Sequence, residues 1–294
     1  MKLPLVVFVF VFSICSVTVS GCAGGAQEQS PTSINGGSSM ALNTQTYLLG
    51  VDLVRAMDAA GQSGGKFAST FDKKAGSAFD QQLQVMDQSI NKLEKSGNKS
   101  ELVMKLIGQG KDARKTYEQI KDLTKDNRVD IVQFRARSMF RSISDKRAEV
   151  TETLARLGES ILPTIQTDSK MRKAAFYIRA NTLLESSKQS GSLLSKLSMT
   201  SAVDQNSKKV EFEKLQKSVR ANLQSLESDY AGDAELAPYL TYVKDAVTLR
   251  LTEYDSVYQM ITTPQDLGPN QARILRRPSS ATEKDLLEEL RLQL

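Results

Sequence analysis

From about Met40 onward, apolar residues recur at intervals of three and four, the period of an amphipathic helix. Phe79, Leu83, Met86, Ile90 and Leu93 are spaced 4, 3, 4, 3. Val103, Leu106, Gly110, Ala113, Tyr117 and Ile120 are spaced 3, 4, 3, 4, 3. An average repeat of 3.5 residues is the seam of a left-handed bundle or coiled coil. The small residues Gly110 and Ala113 would let a neighbouring helix come close. Before these stripes the pattern predicts a first helix over Thr44 to Ala60, ended by Gly61, Gly64 and Gly65. Ser96-Gly97-Asn98 closes the second helix. No proline occurs between Pro31 and Pro163, which permits long uninterrupted helices.

A fourth, longer segment runs from about Arg128 to Leu162. Its stripe leads from Val132, Ala136, Met139 and Ile143 to Val150, Leu154, Leu157 and Ile161. Lys146 and Arg147 interrupt it, and Pro163 marks its end or a kink. Three more helices are predicted over Thr164 to Leu197, Asp204 to Tyr230 and Asp233 to Thr262. Phe212, Leu215, Val219, Leu226 and Tyr230 form one stripe; Leu236, Leu240, Val243, Val247, Tyr254 and Ile261 form another. Pro238 falls in the first turns of its helix, where a missing N–H costs least. The stretch from Pro264 to Ser279 carries three Pro and three Arg and reads as extended or flexible. Ser280-Ala281-Thr282-Glu283 then matches a capping box, followed by a short amphipathic helix bearing Leu286, Leu287, Leu290 and Leu294. The expected fold is all-α: elongated antiparallel helical bundles of about seven long helices plus a short C-terminal one. The expected organisation is a first helical module over 40–162, a second over 163–263 that can be continuous with it, and a terminal segment over 264–294.

The first residues follow a different pattern. Met1-Lys2 supplies a minimal positive start, and Leu3 to Gly21 is uncharged and dense in Val and Phe. It turns more polar toward Ser16, Thr18 and Ser20. A positive start, an apolar middle and a small-residue end describe a secretory signal peptide over 1–21. The alternative is an uncleaved transmembrane helix, since about 19 residues at ~1.5 Å each approach a ~30 Å hydrocarbon core. The segment ends Val19-Ser20-Gly21-Cys22, which resembles the lipobox of bacterial lipoproteins. That resemblance implies cleavage between Gly21 and Cys22, a diacylglyceryl thioether on Cys22 and a fatty acyl chain, such as palmitate, on the new N-terminus. With Ala23 rather than Asp after the cysteine, it also implies the outer membrane, facing the periplasm, in a two-membrane cell. In any other cell it implies a lipid anchor in the cell membrane. Residues 22–39 are then the lipidated cysteine and a Gly-, Ser- and Gln-rich tether, whose reach is very roughly 20–25 Å.

Composition narrows the chemistry. The 294 residues are 40% apolar and 25% charged, and they include no His, no Trp and two Cys. Without His there is no imidazole base, no Ser–His or Cys–His pair and no His-bearing metal site. Cys15 lies in the leader and Cys22 is consumed by lipid, so the mature chain has no thiol nucleophile or ligand. Removing Lys2 with the leader leaves 38 of the 39 basic residues against 34 acidic ones, a balance of +4. That is too mild for strong electrostatic binding. Arg128, Arg135, Arg137, Arg141, Lys146 and Arg147 make the most basic stretch, but at ~100° per residue they spread around the helix. No nucleic-acid partner is expected; a modest affinity for anionic lipid or an acidic partner is compatible with these charges.

Apparent motifs dissolve on inspection. Ala60-Gly61-Gln62-Ser63-Gly64-Gly65-Lys66-Phe67 lacks the first Gly and the final Ser or Thr of a phosphate loop. Ser96 and Lys99 fit Ser-x-x-Lys without its companion motifs. Glu149 with Glu152, and Glu288 with Glu289, read as solvated faces rather than metal pairs. No metal, no cofactor and no catalysis are expected. Five of the eight Tyr fall between Tyr230 and Tyr258, with Tyr242 and Tyr254 as candidate ligand-lining residues. Leu286, Leu287, Leu290 and Leu294 are the candidate partner-binding stripe, with docking onto their own bundle as the alternative. The expected function is a membrane-anchored, non-catalytic periplasmic scaffold or adaptor for another envelope protein. The alternative is a small-molecule module. Long paired helices resemble the periplasmic sensing domains of bacterial chemoreceptors and pilus-linked receptors, and that resemblance implies a ligand site around Tyr242 and Tyr254.

Overall fold

A computed structural model describes residues 35–123, 129–165, 168–199, 202–262 and 284–294. Among them are eight α-helices and no strand. They are α1 (Asn35–Thr70), α2 (Lys73–Lys95), α3 (Glu101–Leu123), α4 (Val129–Ile165), α5 (Arg172–Met199), α6 (Ala202–Tyr230), α7 (Ala237–Thr262) and α8 (Lys284–Leu292). Seven are long and the last is short, as the hydrophobic period requires.

Short links set neighbouring helices antiparallel. Between α1 and α2 only Phe71 and Asp72 intervene; Phe71 takes a left-handed φ of 55°. Asp72 then caps α2, its carboxylate accepting from the backbone N–H of Lys74 and Ala75 at 3.2 and 3.3 Å. At the far end, Ser96 caps α2 and Gly97 adopts a φ of 76°, which glycine takes without strain. Facing partners prove the orientation. Asp80, Asp87 and Glu94 of α2 pair with Lys121, Arg114 and Lys111 of α3, one rising as the other falls. Likewise Glu213, Arg220 and Glu227 of α6 meet Tyr258, Asp255 and Lys244 of α7.

Helices α1 to α4 pack as a four-helix bundle, and α5 lies against α4 and carries α6 and α7. One main hydrophobic cluster runs through all of them, from Tyr47 and Leu53 through Phe79, Leu106, Leu154 and Phe176 to Val243 and Leu290. The sequence division at 162/163 is not a break in this packing, because Ile161 and Ile165 both belong to the cluster. A small satellite cluster of Leu194, Leu197, Phe212 and Val257 lies where α5, α6 and α7 meet.

The structure corrects several boundaries, among them the start of α7, which is Ala237 rather than Asp233. Helix α1 does not stop at Ala60 but runs through Gly61, Gly64 and Gly65 to Thr70. Two of these glycines make room: a Cβ on Gly64 would lie 2.8 Å from the Phe79 ring, and one on Gly61 would lie 3.2 Å from the Tyr117 hydroxyl. Gly110 plays the same part on α3, as its spacing predicts, with Leu53 of α1 seated over it. Helix α1 also begins at Asn35, inside the expected 22–39 tether. Helix α5 begins at Arg172 rather than Thr164, after a single 3-10 turn over Ser169–Met171. Pro163 sits inside α4, two residues before its end.

Candidate functional site

Gly21 and Cys22 lie outside the described residues, as do Arg128 and the side chain of Arg137. Of the C-terminal stripe, Leu287 and Leu290 are buried in the main cluster and Leu286 is half-buried, whereas Leu294 is exposed. Helix α8 therefore docks on its own body, against α5 and α7. Leu287 and Leu290 are thus covered by the chain's own helices rather than left free for a partner, which corrects that reading for these two residues of the stripe. Charges clamp the helix to α1: Arg291 pairs with Asp52 at 2.9 Å, and Arg55 pairs with Glu288.

Tyr242 and Tyr254 share a helix but not a site. Tyr242 packs on the main cluster and Tyr254 on the satellite, where its ring covers Gly191 of α5. The two clefts described below are lined by neither. Ser96 of the Ser-x-x-Lys pair spends its hydroxyl on the carbonyl of Leu93 at 2.7 Å, as a cap. Glu152 pairs along its helix with Arg156 at 2.6 Å. Among the described residues, no cluster of three His, Cys, Asp or Glu could hold a metal ion.

Arg147 is the residue that periodicity misreads. It interrupts the α4 stripe because it is a partly buried cation that faces α1 and α5. Its guanidinium forks onto Asp58 of α1, with one bond of 2.9 Å, and reaches Glu185 of α5 at 3.1 Å. Lys188 adds a bond of 2.5 Å to Glu185. Burial opposes the Arg147 charge, but bonds and attraction from Asp58 and Glu185 outweigh it and hold its pKa above the ordinary value. Burial also opposes the Glu185 charge, yet Lys188 and Arg147 hold its carboxyl below the usual range. With every charge answered, this cluster ties three helices together rather than offering a reactive group.

A different constellation lies along the seam between α6 and α7. Each of these helices packs more closely on α5 than on the other. The seam holds two open clefts. One, about 530 Å³, lies between Gln224, Glu227 and Ser228 of α6 and Leu240, Thr241 and Lys244 of α7. The other, about 260 Å³, lies between Phe212, Gln216 and Arg220 of α6 and Asp255 and Tyr258 of α7. In the second, Phe212 and Tyr258 stack with ring centres 4.9 Å apart. Tyr258 donates to Glu213, and burial together with that carboxylate pushes its phenol up to about 12. Gln216, 5% exposed, finds no hydrogen-bond partner among the described residues for either its Oε1 or its Nε2. Sequence reasoning missed it, although a signal existed. Phe212, Gln216, Val219, Leu223, Leu226 and Tyr230 form one buried stripe in which only Gln216 carries an amide.

Comparison with protein-family models, curated proteins and solved structures finds no match to this chain.

Proposed function

We propose that this chain is a bacterial lipoprotein: a lipid-anchored, periplasm-facing adaptor of the outer membrane that engages another envelope protein and performs no catalysis. The observation that carries this reading is the run Val19-Ser20-Gly21-Cys22 closing an uncharged stretch of nineteen residues, Leu3 to Gly21. Among the described residues, no helix is long and apolar enough to cross a membrane. Attachment through the first 22 residues is consistent with that. One acyl chain binds a bilayer marginally and two hold it stably, each buried CH₂ contributing ~0.8 kcal/mol. The helical body then works by proximity, since tethering raises its effective concentration for partners at the same membrane. The charges of the Arg147 cluster and of the α8 clamp pair with one another, and this favours a rigid surface over a reactive centre at those places.

The test is Cys22→Ser expressed in the native host. Membrane fractionation should find the variant unprocessed, or released from the outer membrane into the soluble envelope fraction. Unchanged outer-membrane association of a processed Cys22→Ser chain would refute the anchor.

A further inference from the structure

We infer that the seat of α8 is the surface on which this chain receives its partner, and that the partner offers an amphipathic helix with two large aliphatic residues three positions apart, an acid directly after the first and a base directly after the second. The inference rests on the adaptor reading and names its binding site. The pattern is read from α8 itself. Leu287 and Leu290 are buried, while Glu288 and Arg291 pair with Arg55 and Asp52 of α1. A hydroxyl adds to the seat: the Gln293 Nε2 donates to Tyr239 of α7 at 3.3 Å. These seat groups do not need α8 to hold them in place. Asp52 and Arg55 stand three positions apart on a 36-residue helix whose Leu53, Val54 and Ala56 lie in the main cluster. Tyr239 stands on a 26-residue helix anchored there by Val243 and Val247. The groove is therefore preformed, and a helix that lays i and i+3 anchors into an apolar groove is a recurring mode of recognition.

Helix α8 holds this seat loosely. It has nine residues, whereas α1 to α7 have 23 or more. A helix that short does not persist in water on its own, so losing its contacts also loses its structure. The clamp side chains keep between 21 and 35% exposure, and pairs so open to water hold weakly. Burial opposes the Asp52 charge more than Arg291 and Arg55 favour it, so its pKa stands above the ordinary value and covering this acid is electrostatically unfavourable. Leu292, the last residue of α8, stays 77% exposed, so apolar surface at this end is left uncovered. A longer helix with the same anchors gains what α8 does not. Membership of the same chain gives α8 an effective concentration in the millimolar range. Only a helix that matches the seat and covers more surface displaces it, and α8 thereby screens out weaker occupants.

The test uses full-length protein in detergent and, as probe, a fluorescent peptide of residues 282–294, titrated by anisotropy. Leu287→Asp with Leu290→Asp opens the seat, and the opened chain should bind the peptide at least about tenfold more tightly than the wild type, because its own helix no longer competes. A peptide carrying Leu287→Ala and Leu290→Ala should bind the opened chain at least about tenfold more weakly. Adding Asp52→Arg to the opened chain should reverse the preference, so that an Arg291→Asp peptide binds better than the native one. A second measurement needs no substitution. Excess native peptide, made with heavy isotopes so that mass separates the two copies, should quicken amide exchange over 284–292 of the wild-type chain and leave α1 to α7 protected. Equal affinity for the wild-type and opened chains, no reversal with Asp52→Arg, or unchanged exchange in α8 would each overturn the assignment. A dimer of the wild type that disappears when Leu287 and Leu290 are replaced would assign the seat to a second copy and overturn the partner. None of these readings depends on lipid, so failure at Cys22 and failure at the α8 seat are separate results.

Discussion

Replacing Arg147 by Met would expose how α1, α4 and α5 are held together. The substitution keeps a similar apolar stem but removes the cation between Asp58 and Glu185. Taking one partner from a buried pair generally costs ~3–5 kcal/mol, because the other charge is left unanswered. Two features reduce that here. The Asp58 side chain keeps 30% exposure, so water can reach it, and Glu185 retains Lys188 at 2.5 Å. A loss of roughly 2–3 kcal/mol is therefore expected at neutral pH. For a body of this size that corresponds to a Tm lowered by roughly 4–12 °C. The assay is urea unfolding followed by circular dichroism at several pH values. Glu185 is held below its ordinary pKa, so its contribution is present above the unfolded value and is lost as pH falls through the folded one. In Arg147→Met that hold is weaker and Glu185 takes up its proton at higher pH. The gap between the two proteins should thus narrow from pH 7 towards about pH 4. Changing Asp58, Arg147 and Glu185 together to Leu, Met and Leu should recover most of the loss. A cost below about 0.5 kcal/mol, the level of an exposed pair, or a gap that widens on acidification would refute the reasoning.

Two neighbouring glycines of α1 should respond with opposite signs to the same change. Gly65→Ala meets nothing within 4 Å and should stabilise by about 0.5–1 kcal/mol through helix propensity, whereas Gly64→Ala pushes a Cβ to 2.8 Å from Phe79 and should destabilise. Denaturant midpoints decide this, and a shared sign would mean that Phe79 does not seat on Gly64. Leu290→Ala hollows the docked face of α8, and because a short helix can open alone, amide exchange over 284–292 should quicken on the order of 10²-fold. The rest of the body should keep its protection; unchanged exchange in α8 would contradict its docking.

The course of α2 and α3 was legible because each presents a single stripe to one bundle interior, so Phe79 to Leu93 and Val103 to Ile120 carry their burial in their spacing. The C-terminal helix was legible as a helix but not as a docked one. An amphipathic face needs an apolar partner, and periodicity does not say whether that partner is another chain or, as for Leu287 and Leu290, α1–α7. Gly61 and Gly64 misled for a related reason. Glycine lowers helix propensity everywhere, but at these positions its missing side chain is filled by Tyr117 and Phe79, and the tertiary contact outweighs the local preference. Arg147 looked like a break in a stripe because its partners, Asp58 and Glu185, are 89 and 38 residues away. Gln216 passed unnoticed because a neutral amide breaks an apolar pattern without announcing a charge. Tyr242 and Tyr254, three turns apart, share a helix that crosses from the main cluster to the satellite, so sequence proximity did not make them one site.

The account turns on residue 22. Protein taken from native envelopes and digested should yield an N-terminal peptide that begins at Cys22 and carries the mass of a diacylglyceryl group and an amide-linked acyl chain. A peptide that still begins at Met1, or a Cys22 whose sulfur remains free to react with a thiol reagent, would contradict it.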